Sequence, residues 1–339
     1  MSRSEARSVG ASSALVGFLA FVYLAIFVFV FRHYAYAEPG GFPAFYTAGK
    51  LAGYDLSGLY NRHLQNIFHP GNLGTGYFFH LPYELVVLWP LSYLPQVAAY
   101  VAWSILNLGC LLGAAAILRR RFKTFHLLMP FAFAPTLSLL LNGQDLGILT
   151  LVIVLAFDRF SERQDLQAGA ILALGLFKFP LIVPLVAILA FRYWRVVAGF
   201  VAVAVPLVLV SALMVGRRGM QEYVQLAHGT DAKEDPAILV NLRGALGMLF
   251  GNHIAIVIAL SVVVVGLAAL VRSGRVPAFS IGVVATLLVS WHAHVYDVVL
   301  LLVTAPVLLS YAHAYLVGFV LCGALAASLY CGRSQTPAI

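Results

Sequence analysis

The chain has 339 residues, of which 62% are hydrophobic and 10% are charged, and its mean hydropathy is +0.92. Soluble proteins average about 45–50% apolar and about 25% charged residues, so this composition excludes an ordinary soluble domain. Apolar runs of about 20 residues recur, each long enough to cross a hydrocarbon layer roughly 30 Å thick. The sequence predicts an all-α polytopic membrane protein with one domain over residues 1–339.

The net charge of +8 does not indicate a nucleic-acid partner, because the basic residues are grouped between apolar runs. The groups are Arg119 to Lys123, Arg192 with Arg195, and Arg272 with Arg275. An excess of Lys and Arg in short loops marks the cytoplasmic side of a membrane protein. We therefore place these loops and the N-terminus in the cytoplasm.

The first predicted span, Ala14 to Phe31, leads to a long polar segment, Glu38 to Pro95. No small-residue cleavage site follows the span, so we expect it to be retained. The segment is predicted to be the first outer loop, and its sequences PAFYTAGKLAG and LYNRHLQNIF are typical of short interfacial helices. Tyr83 to Leu94 is apolar but short and contains Pro90, which indicates a short or re-entrant segment. A loop of this length suggests a functional role.

The middle of the chain contains four further apolar runs: Val97 to Leu118, Phe125 to Leu141, Leu146 to Phe157 and Val196 to Val215. Between them, Leu166 to Phe191 must leave and re-enter the cytoplasm if both flanking basic loops lie there. About 26 residues are too few for two crossings. We predict a half-depth helical hairpin with Phe177 to Pro180 at its tip. A single crossing, which would invert the later topology, is the alternative.

The last part of the chain begins with a second predicted outer loop, Gly216 to His253. Four apolar runs follow: Ile254 to Val271, Pro277 to Val289, Val298 to Ser310 and Tyr315 to Tyr330. The total is about 9–11 transmembrane segments, counting the two partial ones. The three cysteines, Cys110, Cys322 and Cys331, lack metal-ligand spacing, and we expect neither a disulfide nor a metal at them.

Several short motifs follow one another along nearly the whole chain. They are FPAFYTAGKL (42–51) with LY (59–60), HLPYELVVLWPLSYLP (80–95), W..LN (103–107), NGQD (142–145), FKFPLIVPL (177–185), NLRG (241–244) and SWHAHVYD (290–297). Their order and spacing resemble the bacterial polyprenyl-phosphate-sugar-dependent glycosyltransferases of family 87, in the C-type membrane glycosyltransferase superfamily.

The resemblance implies a C-type glycosyltransferase fold in the bacterial inner membrane. It also implies that a hexose, most often mannose, moves from a polyprenyl-phosphate donor to a hydroxyl of a lipid or glycan acceptor on the outer face. We expect inversion and no cofactor. A phosphate leaving group needs little protonation, so such a reaction requires one carboxylate base and one or two cations for the phosphate.

One position departs from the family. An Asp usually stands just before the FPAFY-like motif and is the expected base, whereas this chain has Gly41 there. Glu38 lies three residues upstream in a flexible Pro-Gly-Gly segment. Glu84 stands beside His80 at the entry to an apolar segment, where burial would raise its pKa toward a useful value. We predict that Glu84 or Glu38 is the base.

Lys178 and Arg243 are the predicted phosphate ligands. A lysine between Phe177 and Phe179 is costly unless it faces a polar partner, with snorkelling as the alternative. Arginine pairs well with phosphate oxygens, with a salt bridge to Asp231 or Asp235 as the alternative for Arg243.

Seven other residues complete the predicted substrate site: Tyr46, His80, Gln144, Asp145, His292, His294 and Asp297. Asp145 and Asp297 are also candidates for helix caps, and Tyr46 for an interfacial anchor. We expect no zinc at His292 and His294, because no third ligand is evident in the sequence.

Two other functions remain open. A transporter or lipid flippase would also have many spans and an intramembrane lysine, although the sequence contains no evident inverted repeat. A relative that binds the carrier lipid without catalysis would account for Gly41.

Overall fold

A computed structural model describes residues 16–26, 28, 41–69, 76–123, 125–231, 236–251, 253–271 and 273–307. Within these ranges the chain forms α-helices and short 3-10 helices without β-strands, and the protein is an all-α membrane protein. The α-helices are α1 (Val16–Ile26), α2 (Phe42–Tyr54), α3 (Arg62–Phe68), α4 (Leu85–Leu91), α5 (Gln96–Arg121), α6 (Ala134–Asn142), α7 (Leu146–Ser161), α8 (Asp165–Ala173), α9 (Phe179–Ala190), α10 (Trp194–Asp231), α11 (Leu242–Phe250), α12 (Ile254–Leu270) and α13 (Arg275–Val289).

Two of these helices are each long and apolar enough to cross a membrane. They are α5, with 26 residues, and the 33-residue stretch Trp194–Leu226 of α10. Large apolar side chains on α10, such as Val205, Leu209 and Leu213, are exposed. In a membrane protein, such a surface faces lipid. The bent pair of α8 and α9 gives a third span if the two helices count as one.

Two of the other apolar runs are not filled by a single α-helix. Phe125 to Leu141 divides into the 3-10 helix Met129–Ala132 and α6, each with a proline at its start. Proline has no N–H with which to continue a helix, which explains the division. Val298 to Ser310 begins inside another 3-10 helix, Val295–Val303. Among the described residues, α1, α12 and α13 are shorter apolar helices, and the predicted run Tyr315 to Tyr330 lies outside the described ranges.

The predicted break in Leu166 to Phe191 is present. The helix α8 ends at Ala173, a 3-10 turn Leu176–Lys178 follows, and α9 begins at Phe179. The two helices are bent by 69° relative to each other. This bend is compatible with either a broken span or a re-entrant segment. In both cases Lys178 lies at the break.

The predicted first outer loop contains the expected short helices, but α2 is buried within the protein. Phe42, Phe45, Tyr46 and Leu51 of α2 are each at most 7% exposed, and they pack with residues of α4 and α5. The FPAFYTAGKL motif is thus part of a protein core, because its aromatic residues pack against other protein residues rather than against lipid headgroups. The helix α4 contains Pro90 and has only seven residues, in agreement with the short segment predicted over Tyr83 to Leu94.

The second predicted outer loop is largely helical. The helix α10 extends past Val215 to Asp231, with a kink at Gly216, where φ is 65°. Glycine adopts this left-handed conformation at low cost. After the 3-10 turn Pro236–Ile238, α11 begins at Leu242 with Asn241 as its cap, because the Asn241 side chain accepts a hydrogen bond from the Gly244 N–H.

Two large hydrophobic cores result. The inner core contains residues of α5, α7, α8, α9 and α13, and the outer core contains residues of α2, α4 and the first half of α5, together with Phe78. His80 lies at the boundary, since its ring is 5.3 Å from that of Phe45 in the outer core and 6.2 Å from that of Phe177 in the inner core. The candidate site lies at this boundary.

Candidate active site

Four breaks in the helical structure meet at this boundary: residues 80–84, 143–145, 174–178 and 290–297. They carry His80, Glu84, Gln144, Asp145, Lys178 and Asp297, all of which the sequence predicts as site residues. Non-helical backbone at membrane depth is tolerated where it is buried in protein or lines a cavity. The breaks therefore bring together polar side chains that are distant in the sequence.

His80 joins the first outer loop to the turn before α7. Its Nδ1 lies 2.8 Å from Glu84 Oε2 and 3.3 Å from Asp145 Oδ2. Glu84 follows in the 3-10 helix Pro82–Glu84, which places the two side chains of the pair on one side of the chain. Both are buried, at 6% exposure each. Their side chains thus form a buried pair at the entry to α4.

Burial shifts the charge states of this pair. It lowers the pKa of His80 to about 4, while the nearby Asp145 acts in the opposite direction. Burial also raises the pKa of Glu84 to about 8, opposed by the nearby Lys178 and by the adjacent Asp145 side chain. Both shifts have one cause: a charge among these aromatic rings loses its hydration. Burial therefore disfavours the charged form of each group.

A tight turn at Gly143 holds Asp145 in position. Gly143 has a φ of 61°, and its carbonyl accepts a hydrogen bond from Trp103 Nε1 at 2.9 Å. Asn107 Oδ1 accepts a hydrogen bond from the Gly147 N–H at 2.9 Å and fixes the start of α7. Asp145 is fully buried and makes no side-chain cap hydrogen bond to α7. Its carboxylate points into the cluster instead, so capping does not explain it.

Lys178 extends into the same cluster. Its Nζ lies 3.3 Å from Asp145 Oδ1 and donates a hydrogen bond to Gln144 Oε1 at 3.3 Å. The ammonium also lies over the ring of Tyr296, 5.9 Å from its centroid. The side chain is 15% exposed, so it is turned inward rather than snorkelling to a membrane surface.

Asp297 closes the cluster from the last described segment. Its Oδ2 accepts a hydrogen bond from the His294 N–H at 2.7 Å, as a capping residue would, and it interacts electrostatically with Lys178. The His294 ring lies 5.1 Å from the Tyr296 ring, and His292 is in the same segment, where its carbonyl accepts a hydrogen bond from Ser290 Oγ.

Arg243 adjoins this segment from α11. It is 5% exposed, its Nη1 donates to the Trp291 carbonyl at 3.3 Å, and its guanidinium stacks on the Trp291 ring at 4.6 Å. The alternative partners, Asp231 and Asp235, have side chains outside the described residues.

One predicted residue within the described ranges is not brought into the cluster. Tyr46 is in the outer core, where its hydroxyl donates to the Leu94 carbonyl at 2.9 Å and Lys50 lies over its ring. Glu38 lies outside the described residues. Gly41 is adjacent to the cluster: its N–H donates to the Asn142 carbonyl, and a Cβ there would overlap Gln144 Nε2. A side chain at position 41 would therefore displace Gln144 from its place beside Lys178.

Tyr83 connects two of the breaks, a role that the sequence did not indicate. Its hydroxyl donates to the Leu174 carbonyl at 2.9 Å and accepts from the Phe177 N–H at 2.7 Å. Both partners are in the break between α8 and α9, so Tyr83 fastens the segment that carries Glu84 to the turn that carries Lys178. The HLPYE motif contains this tyrosine, but no spacing rule indicates a partner about 90 residues away.

Three of the clustered residues have suitable atoms for a metal ion. His80, Glu84 and Asp145 each offer one ligand atom, and these atoms lie within 4.8 Å of one another. Lys178 and Arg243 instead suit an anion, because their side chains are cationic donors.

Comparisons with known proteins add one result. A family model, glycosyltransferase family 87, matches residues 78–291. This range includes His80, Glu84, Asp145, Lys178 and Arg243, and ends just before the 3-10 helix with Asp297. Searches of curated proteins and of solved structures each gave no match.

Proposed function

Since the chain belongs to glycosyltransferase family 87 and is thus a membrane glycosyltransferase, we propose that it transfers a hexose, mannose, from a polyprenyl-phosphate donor. The acceptor is a hydroxyl group of a lipid or glycan at the outer face of the bacterial inner membrane. The observation that carries this proposal is the inward-turned Lys178, held beside Asp145 and Gln144 at a break between two apolar helices.

Lys178 suits the leaving group of this reaction. As the bond between the sugar C1 and the phosphate oxygen breaks, the electron pair goes to the phosphate, which leaves as polyprenyl phosphate. Negative charge therefore develops on that oxygen, and a preorganised ammonium in a site of low polarity stabilises it. A carrier chain of isoprenoid units would remain in the lipid beside the apolar helices.

Glu84 is the proposed base. It would take the proton of the acceptor hydroxyl while that oxygen forms the new bond to C1 from the opposite side, which inverts the configuration. Oε2 of Glu84 contacts His80, whereas Oε1 is buried and accepts no hydrogen bond within the described part of the chain. A carboxylate held by one oxygen and free at the other fits this role.

A transfer assay tests the function. Purified protein in lipid would be incubated with radiolabelled polyprenyl-phosphate mannose and an extract of bacterial glycolipids. Label in a new product that depends on the protein supports the proposal. Binding of the donor without transfer or donor hydrolysis would contradict it for mannose, and the same assay with other hexoses would follow.

Arg243→Lys is expected to raise the KM for the donor about tenfold with a smaller change in kcat. Lysine keeps the charge but loses both the stacking on Trp291 and the planar fork that pairs with phosphate. Initial rates over a range of donor concentrations measure this. Arg218→Lys, at an exposed arginine paired with Glu222, is the control. An unchanged donor KM in Arg243→Lys would remove Arg243 from the donor site.

Tyr83→Phe is expected to lower kcat about tenfold while the fold is retained. The substitution removes two hydrogen bonds worth about 0.5–1.5 kcal/mol each and changes no volume. Faster hydrogen exchange at the Phe177 amide would show that the break between α8 and α9 is released. Equal exchange and equal kcat would contradict this positioning role. Tyr93→Phe, at an exposed tyrosine of the same loop, is the control.

Gly41 favours a second candidate, a relative that binds the carrier lipid without catalysis. The Cβ of Gly41→Asp would overlap Gln144 Nε2 and displace the Gln144 side chain that contacts Lys178. If Glu84 is the base, we expect this variant to transfer less sugar than the natural protein, because it disturbs Lys178. Activity that appears only in Gly41→Asp would favour the non-catalytic candidate instead.

The transporter alternative makes a different prediction about access. A cysteine introduced at Phe179, next to Lys178 and partly exposed, would react with a membrane-impermeant thiol reagent from one face only in a transferase. Labelling from both faces would favour a transporter.

A further inference from the structure

We propose that His80, Glu84 and Asp145 bind a divalent metal ion. The role given to the ion below rests on the proposed sugar transfer, but the binding itself does not. Neither the sequence spacing nor the family match assigns such a site. The three ligands come from two breaks in the chain that only the fold brings together.

The distances fit a coordination sphere. His80 Nδ1 lies 2.8 Å from Glu84 Oε2 and 3.3 Å from Asp145 Oδ2. Ions bound by oxygen and nitrogen at about 2.1 Å hold neighbouring ligands roughly 3.0 Å apart in octahedral geometry and about 3.4 Å apart in tetrahedral geometry. Two of the three pairs are thus already spaced as neighbours around one ion, and the three residues offer ligand atoms that all lie within 4.8 Å of one another. Small side-chain movements would suffice to admit it.

Buried oxygen atoms in the cluster also lack hydrogen bonds. Within the described residues, Glu84 Oε1 and both carboxylate oxygens of Asp145 are buried and accept none, and the side chain of Glu84 is only 5% exposed. Asp145 Oδ1 has the Lys178 ammonium at 3.3 Å, which is a charge contact rather than a well-formed hydrogen bond. A buried carboxylate without such partners is costly, and a ligand that satisfies it is expected.

The charges in the cluster do not balance. Within the described part of the chain, Glu84, Asp145 and Asp297 are three buried acids, and Lys178 is a cation that interacts with all of them. With these acids ionised and His80 neutral, the five side chains together carry two negative charges. One divalent ion would neutralise them. Bound protons would do so as well, and the experiment below separates these two possibilities.

The ligand set indicates the class of ion. One imidazole nitrogen with two carboxylates lies between the sets preferred by Zn²⁺ and by Mg²⁺, and it suits Mn²⁺. Three protein ligands leave coordination positions open, as in metal sites that bind substrate. Those positions would accept phosphate oxygens of the donor, which a cluster rich in carboxylates would otherwise repel. Glu84 would bind the ion through Oε2 and keep Oε1 for the acceptor proton.

The test measures Mn²⁺ binding without donor or acceptor. The full chain, stripped with a chelator and placed in nanodiscs of neutral phosphatidylcholine, is titrated with Mn²⁺ and followed by electron paramagnetic resonance. We expect about one ion per chain in the micromolar range. Glu84→Gln and Asp145→Asn should each weaken binding about 100-fold. Since no sugar transfer is involved, the result stands even if the proposed function fails.

Asp158→Asn is the matched control. Asp158 is a buried acid whose oxygens already contact Arg120 and Arg121, so its loss should not change Mn²⁺ binding. Thermal unfolding of each variant confirms that it is folded. Where Asp145→Asn fails to fold, Glu84→Gln and His80→Gln provide the comparison. No binding above that of empty nanodiscs, or equal binding in wild type and Glu84→Gln, would overturn the proposal and leave bound protons as the neutralising species.

Discussion

Lys178→Met is expected to lower the rate of sugar transfer by about 10²–10³-fold, the usual cost of removing one donor that stabilises charge in a transition state. Methionine has nearly the same length as lysine but no charge. The ammonium would be lost from its position 3.3 Å from both Asp145 Oδ1 and Gln144 Oε1. The effect should appear mainly in kcat, because negative charge on the phosphate oxygen increases as the bond to C1 breaks.

The same substitution leaves Asp145 without its cation, and breaking a buried ion pair costs about 3–5 kcal/mol of folding free energy. Inactivity through unfolding must therefore be separated from inactivity through lost chemistry. The double variant Lys178→Met with Asp145→Asn removes both charges and should recover stability without recovering transfer. Thermal unfolding and turnover of the two variants measure this.

Lys50→Met is the matched control for Lys178→Met. Lys50 is exposed, and its ammonium lies over the Tyr46 ring in the outer core, away from the cluster. We expect its turnover to be within about twofold of wild type. Undiminished turnover in folded Lys178→Met would exclude the lysine from the mechanism and would also remove the main support for the proposed donor site.

The sequence was informative where a polar or charged residue stands in or beside an apolar segment. A lysine inside the apolar FKFP segment predicted an inward-facing charge, because an unpaired ammonium in such a run is costly. The basic loops on both sides of Leu166 to Phe191 predicted the break. Glu84 was a candidate beside His80, and the structure brings the two side chains into contact. The residues of NGQD also adjoin the cluster, at the turn that Gly143 permits.

The convergence of the four breaks was not predictable from the sequence. The contact between Asp145 and His80 joins residues 65 positions apart, and Tyr83 reaches Phe177 across 94 positions. Tertiary packing decides such pairs, and no local pattern encodes them. The same limit explains the error at α2, whose aromatic residues resemble those of an interfacial helix although they are buried against α4 and α5.

The division of some apolar runs was not predictable for a related reason. Hydropathy measures the length of an apolar run but not whether one helix fills it. Prolines at the starts of Met129–Ala132 and α6, and the 3-10 helix Val295–Val303, divide runs that look continuous. Such breaks are the positions at which polar residues can be placed inside an apolar protein. The same breaks between helices thus divide the apolar runs and carry the residues of the site.

Glu84→Gln is expected to lower kcat by about 10²–10⁴-fold, the range for loss of a general base. Glutamine keeps the size of the side chain and can still hydrogen-bond His80, but it cannot accept the acceptor's proton. At a Mn²⁺ concentration that fills the site of the variant, the donor KM should change less than about threefold, since Lys178, Arg243 and the ion remain. Steady-state rates with varied donor and acceptor measure both constants. Glu222→Gln, at a half-buried acid bonded to Asn61 and Arg218, is the control.

Added Mn²⁺ separates the two roles that Glu84 would have. If Glu84 serves only as a metal ligand, a high Mn²⁺ concentration should refill the weakened site in Glu84→Gln and restore the rate. If Glu84 is also the base, the site refills but transfer stays low, because no group has replaced the carboxylate that removes the proton. Near-normal turnover of Glu84→Gln without added metal would contradict both roles. The base would then have to be sought at Asp145, Asp297 or Glu38.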